Sequence, residues 1–208
     1  MTPNRAVAGV QAGAASPRLR RAAPLGLFLL ACVAIVFFYR ILLHPGEMLL
    51  AGDIVLMHSE YRFAQWHSFA DWGRFPLWDP TIFCGKSIVG DALPAVLNPP
   101  QWIFWALPSP VLFGYVLWFY AMVSAWGMFL FARKRGCDWQ GAMLAAVVFV
   151  FGARTVGHLF AGHVELLSTA LCLPWIMLAA ECVLLRPSFV RAALLGVALA
   201  FASTCGCI

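Results

Sequence analysis

The hydrophobic positions of this chain gather into five long runs separated by polar stretches of very unequal length. The runs are 24–43, 111–132, 140–156, 166–185 and 190–208. Each approaches the roughly 20 apolar residues that a helix needs to cross a hydrocarbon layer. Three of the four gaps between them are short. The gap after the first run, 44–108, is far longer than a connection requires, and long loops usually carry function. It also holds Glu47, Asp53, Glu60, Asp71, Asp79 and Asp91, most of the acidic side chains in the chain.

Inside that stretch, Ala51-Gly52-Asp53 reads as a turn leading into a helical pattern over 54–72. Ile54, Met57, Tyr61, Phe69 and Trp72 are placed near one side, and His58, Glu60, Arg62, Gln65, His67 and Asp71 form a mixed opposite face. The length and the aromatics predict a helix lying in the membrane interface. Gly73-Arg74-Phe75-Pro76 ends it. The segment Pro76-Leu77-Trp78-Asp79-Pro80 predicts a rigid turn, and Gly85-Lys86-Ser87 and Gly90-Asp91 predict further loop. From 92 to 107 the chain is apolar, but Pro94, Pro99 and Pro100 break it. It predicts a second interfacial or re-entrant piece rather than a span.

Composition supports a membrane reading. The chain is 62% hydrophobic and 11% charged, against roughly 25% charged in a soluble domain. The net charge of +5 does not point to nucleic acid, because the basic residues fall in short clusters beside the apolar runs. Arg18, Arg20, Arg21, Arg133, Lys134, Arg135, Arg186 and Arg191 all fall on one side of the predicted topology. The positive-inside bias makes that side cytoplasmic and puts the 44–108 loop and the His163 loop outside. Residues 1–23 are expected to be a disordered basic cytoplasmic tail. The first run is too long for a signal-peptide core and lacks a cleavage site, so it is expected to stay as a span. The expected location is a bacterial inner membrane, multi-pass, with the long loop periplasmic or extracellular.

Of the seven cysteines only Cys84 lies in the long loop, which therefore cannot close a disulfide on itself. The others read as small hydrophobes in helices. No nucleotide-binding loop, zinc-protease helix or serine elbow motif is present.

Candidate chemistry sits at the outer boundary. Asp53 follows the first span directly. It reads either as a functional carboxylate or as a helix N-cap, although Leu56 leaves no capping box. Asp91 reads as a substrate contact or a turn residue, and Asp79 as turn chemistry. His158, His163 and Glu165 form a second outer cluster able to hydrogen-bond a phosphate or meet a divalent cation, or simply a polar loop. Arg40 and Arg154 lie at span ends, where a guanidinium snorkels or meets a lipid phosphate.

Gly52-Asp53, Pro76-Leu77-Trp78-Asp79-Pro80, Gly90-Asp91, Asn98-Pro99-Pro100 and Leu173-Pro174-Trp175 occur in that order. From about Leu25 onward the chain resembles the N-terminal part of bacterial YfhO-like membrane proteins, in the broader GT-C glycosyltransferase-like group. The resemblance implies an all-α integral membrane fold with about five transmembrane helices here and a long outer loop carrying short interfacial helices. It implies more spans beyond them, so that the chain is expected to be a fragment, a truncated product or one part of a split enzyme. It implies a sugar donor on a polyprenyl phosphate, with membrane lipid and a missing C-terminal part as partners. It also implies catalytic carboxylates at Asp53 and Glu165. Asp91, Arg40, Arg154, His158 and His163 are the expected substrate contacts, and a divalent cation (Mg or Mn) the expected cofactor. A non-catalytic membrane scaffold or transport component, or an inactive fragment, is the competing expectation. The clustering of charge at the outer surface rather than mid-membrane favours the transferase.

Overall fold

The computed structural model describes residues 17–44, 46–47, 52–91 and 93–206. Its frame is a set of long apolar helices. Helix α1 spans Pro17–Phe37 and, after a break at Phe38, continues as the short α2, Tyr39–Leu43. The backbone from residue 17 to 23, expected in the disordered tail, is therefore helical. The rest of that tail, 1–16, lies outside the described residues, as does Ala51 of the expected turn.

Three helical stretches are long and apolar enough to cross a membrane: Leu112–Lys134, Trp139–Ala161 and Val164–Leu185. The first is helix α5, Leu112–Lys134. The second is bent into α6, Trp139–Phe151, and α7, Ala153–Ala161. The third is α8, Val164–Leu185. Phe28–Phe37 and the final helix α9, Phe189–Ser203, are apolar but shorter. The third predicted run thus extends past its expected end at 156, to Ala161. The bend sits at Gly152, which leaves helical geometry at ψ 167°. A Cβ there would lie 2.4 Å from the Val148 carbonyl oxygen, so a side chain would force the turn open.

Helix α5 is the centre of the bundle, packed on α1, α6 and α8. Phe113, Leu117, Ala121, Ala125 and Phe129 recur every four residues and are all buried, the spacing that keeps side chains on one helical face. Small residues let neighbours close in, as in membrane helix pairs generally. Gly127 faces the Trp175 ring and Gly114 faces Ile41. The Trp175 indole donates to the Val123 carbonyl at 2.9 Å, tying α8 to α5.

The 44–108 stretch folds over one end of this bundle. A π-helical turn at Ile54–His58 runs into α3, Ser59–Ala70. The 92–107 piece yields a 3-10 turn at Pro99–Trp102 and α4, Ile103–Ala106, which packs on α3. Between them, β1 (Trp78–Asp79) and β2 (Lys86–Ser87) pair antiparallel, Trp78 opposite Ser87 and Asp79 opposite Lys86. The expected turn and loop are thus two sides of one hairpin.

The faces of α3 are the reverse of a simple amphipathic helix. Ile54, His58, Arg62, Gln65 and Ser68 point inward and are buried, whereas Leu56, Phe63, Phe69 and Trp72 are exposed. The predicted aromatic side therefore splits: Ile54 is buried, Tyr61 is intermediate, and Phe69 and Trp72 face outward.

Candidate functional site

The end of α7 and the start of α8 are joined by a two-residue turn, Gly162-His163. Gly162 takes a left-handed conformation at φ 86°, which carries no Cβ penalty only in glycine. Its N–H caps the His158 and Leu159 carbonyls. The turn folds His163 back onto the preceding helix, so His158 Nδ1 and His163 Nδ1 lie 3.1 Å apart. The other ring nitrogen, His163 Nε2, reaches Asp53 Oδ2 at 3.3 Å.

Asp53 does not cap its helix. Its backbone is already helical (φ −69°, ψ −26°), and its carboxylate makes no capping hydrogen bond. A residue at an N-cap normally has extended dihedrals and turns its side chain onto the first free N–H groups. Here the carboxylate turns instead to His163 in the α7–α8 turn.

One turn along, His58 is 2% exposed and its Nε2 lies 2.9 Å from Glu165 Oε2. Two pairs therefore stitch the segment 53–58 to the start of α8 and the turn before it: Asp53 with His163, and His58 with Glu165. Sequence reasoning placed His58 merely on a mixed face. Its signal was available, since Ile54, His58 and Arg62 follow at four-residue spacing and so share a side of the helix with the apolar Ile54.

Arg62 is the second residue missed. It is 2% exposed and has no carboxylate within salt-bridge distance. Its guanidinium donates to the Pro94 carbonyl and, at 3.2 Å, to Gln65 Oε1. Gln65 in turn donates to Pro94 at 2.7 Å and accepts from the Trp105 indole at 3.2 Å. The rings of Phe104 and Phe113 lie 5.2 and 5.9 Å from the Arg62 guanidinium carbon, within cation–π range. Desolvation by burial pulls the Arg62 pKa down to about 10, partly opposed by the charges of Tyr120 and Glu165. The group is therefore a buried cation at neutral pH, and its Nε has no hydrogen-bond partner among the described residues.

Arg62 lines a cleft of about 800 Å³. Phe63, Trp72, Pro80, Ile82 and Pro110 supply apolar wall, and Glu60, His67 and Asp79 supply polar groups. Asp79 is 3% exposed. One of its carboxylate oxygens takes the Thr81 N–H and hydroxyl at 2.8 and 2.6 Å, the turn role expected of it. The other has no partner among the described residues.

The remaining expected contacts lie elsewhere. Asp91 pairs with Lys86, whose ammonium also reaches the Tyr61 hydroxyl at 3.3 Å. The hydrogen bond to Asp91 raises the Lys86 pKa. Arg40 makes an exposed pair with Glu47 at 3.4 Å. Arg154 is exposed near the start of α7. Neither Asp53 nor Asp91 is among the residues lining the cleft; Asp53 contacts His163 directly.

A divalent cation would need several oxygen or imidazole donors aimed at one point. Asp53, His163 and His158 instead form a chain, with one ring nitrogen of His163 used on each side. Among the described residues, no group of three or more histidines, cysteines or acids converges in a metal-ligand arrangement. The cluster does not fit the expected cation.

No family model matches the chain, and neither the curated proteins nor the solved structures contain a match.

Proposed function

We propose that the chain belongs to a membrane glycosyltransferase that draws a polyprenyl-phosphate-linked sugar from the bilayer at the outer membrane face. In this reading the bundle is multi-pass with five spans, α1–α2 and α9 joining the three longer stretches, the N-terminus cytoplasmic and the 44–108 stretch periplasmic. The observation that carries the proposal is the meeting of the two outer loops. Asp53 and His58 touch His163 and Glu165, over 100 positions away in sequence.

The chemistry follows from that contact. An acceptor hydroxyl attacking an anomeric carbon must lose a proton, and a carboxylate within hydrogen-bond reach takes it. Asp53 is half exposed, so an acceptor has access to it, and His163 fixes its direction. Glu165 is tied to buried His58 and acts as a positioning residue for the start of α8, not as a second base. The departing lipid phosphate needs positive charge. Arg40 is occupied by Glu47 at the surface. Arg62 is the better-placed cation, because its buried guanidinium borders a largely apolar cleft that suits a phosphate carrying a hydrocarbon tail. One-step displacement inverts the anomeric centre.

The test is Asp53→Asn in the full chain, reconstituted in liposomes with a polyprenyl-phosphate-linked sugar. Loss of the base should slow transfer by about 10²- to 10⁴-fold while leaving the fold intact, because Asp53 makes no cap to lose. Unchanged transfer would refute the assignment and leave the non-catalytic reading. Orientation is checked separately at Cys84, which is exposed: a membrane-impermeant maleimide added to intact cells should modify it.

A further inference from the structure

Two thiols far apart in sequence meet where α9 ends against α8. Cys172 Sγ and Cys205 Sγ are 3.8 Å apart, and both residues are buried. Cys205 is held in place from several sides. The Asn98 side-chain amide donates to its sulfur at 3.3 Å and to Thr204 Oγ1 at 3.2 Å. The Tyr120 hydroxyl donates to Asn98 Oδ1, and its oxygen lies 3.7 Å from the same sulfur. On the other side, the Cys172 thiol donates to the Ser168 carbonyl at 3.2 Å. Each sulfur is thus positioned by its own neighbours and faces the other across a van der Waals gap. Cys182, by contrast, lies near the opposite end of α8, beside the Lys134 ammonium at 3.1 Å. Cys32, Cys84 and Cys137 have no sulfur partner among the described residues.

We propose that Cys172 and Cys205 are a disulfide site that staples the end of α9 to α8. The sulfurs lie 3.8 Å apart, and forming the bond draws them together to about 2.05 Å. The compartment favours the bond. With the orientation proposed above, α8 starts and α9 ends at the outer face, so the pair lies in the outer half of the bundle. Disulfides persist on that side and not in the cytoplasm; the inference rests on that orientation. Chemically, a thiolate of the pair attacks one sulfur of an external disulfide and releases one thiol. The second cysteine, as thiolate, then attacks the mixed disulfide and releases the other. Two cysteine sulfurs each give up one electron, the external disulfide takes both, and the two cysteine protons end on the released thiols. Both sulfurs are covered in the folded chain, so the exchange belongs to assembly, before α9 has packed onto α8.

The experiment counts free thiols. The full chain is expressed in a membrane whose outer compartment is oxidising. Cells are first treated with an impermeant maleimide to report on Cys84, and the protein is then denatured without reductant in excess N-ethylmaleimide. Of seven cysteines, five should carry a maleimide and two should appear as one linked peptide containing Cys172 and Cys205, released by reductant. In Cys172→Ser, all six remaining thiols should be modified. Seven modified cysteines in the wild type, or a link from Cys205 to Cys207 instead, would overturn the inference. If Cys84 is also unreachable from outside, the proposed orientation has failed with it. If Cys84 is reached and the pair is still reduced, the disulfide proposal alone has failed.

Discussion

Helix α5 and the segment 54–70 pack into the same bundle but bury opposite kinds of side chain. Helix α5 buries a stripe of Phe113, Leu117, Ala121, Ala125 and Phe129. The 54–70 segment buries His58, Arg62, Gln65 and Ser68 and turns Phe63 and Phe69 outward, with Trp72 exposed just past its end. The first surface holds by close contact, helped by glycine at the narrowest crossings. The second holds only because its polar groups find named partners: Glu165 for His58, and Pro94 and Gln65 for Arg62. Burying unpaired polar groups is costly. In the proposed reading these partnered polar groups also place Arg62 beside the cleft. The segment's outward aromatics suit the membrane interface.

The contrast breaks first at Arg62. Arg62→Ala should lower stability in detergent by about 3 kcal/mol, since it removes a buried, hydrogen-bonded cation. Phe63→Ala on the exposed side should stay within about 0.5 kcal/mol. Chemical denaturation of the two variants side by side checks this; a larger loss at Phe63 would mean the helix is turned the other way. On α5, Gly127→Leu should cost about 2 kcal/mol by overpacking, because a Cβ there would come within 2.7 Å of the Trp175 ring. Thermal melts would show this as a fall in midpoint, and no fall would mean α5 and α8 are not in close contact.

Glu165→Ala should cost roughly 1–2 kcal/mol by leaving His58 buried without its carboxylate. His58→Leu combined with Glu165→Ala should recover part of that loss, a non-additivity that a double-mutant cycle reads directly. The smallest effect belongs to Lys86 and Asp91. Lys86→Met should change stability at neutral pH by less than about 0.5 kcal/mol, as for other solvent-screened pairs. The lysine pKa is raised above its ordinary 10.5 by the bond to Asp91. The pair's contribution is therefore complete below that value and is lost as pH climbs through the raised one. A wild-type minus Lys86→Met stability difference that did not shrink as the lysine lost its proton at alkaline pH would contradict this origin.

Much of the helical frame was legible, and for a simple reason. Long apolar runs such as 111–132 have one low-cost arrangement in a bilayer, the hydrogen-bonded helix, and the ends of α5 and α8 fall within a few residues of those expected. The boundaries that moved did so for local reasons. The third run continues past Gly157-His158 because Gly162, not the first polar residue, supplies the helix stop. The hairpin of β1 and β2 went unseen because two-residue strands leave no alternation to detect. At the site, Asp53, His163 and Glu165 were visible as polar residues beside apolar runs, but their partners were not.

The sequence by itself determined that long apolar helices make the frame and where acid collects between them. These are properties of composition and order, and they survive without knowing any contact. Only the tertiary structure decided that Asp53 leans on His163 and leaves its helix uncapped, that His58 pairs with Glu165, and that Arg62 is buried without a carboxylate. It also decided that Cys172 faces Cys205. Those outcomes depend on how α3, α8 and α9 rotate as they pack. A rotation of one residue, about 100°, would turn Arg62 from the cleft without altering any apolar run in the chain.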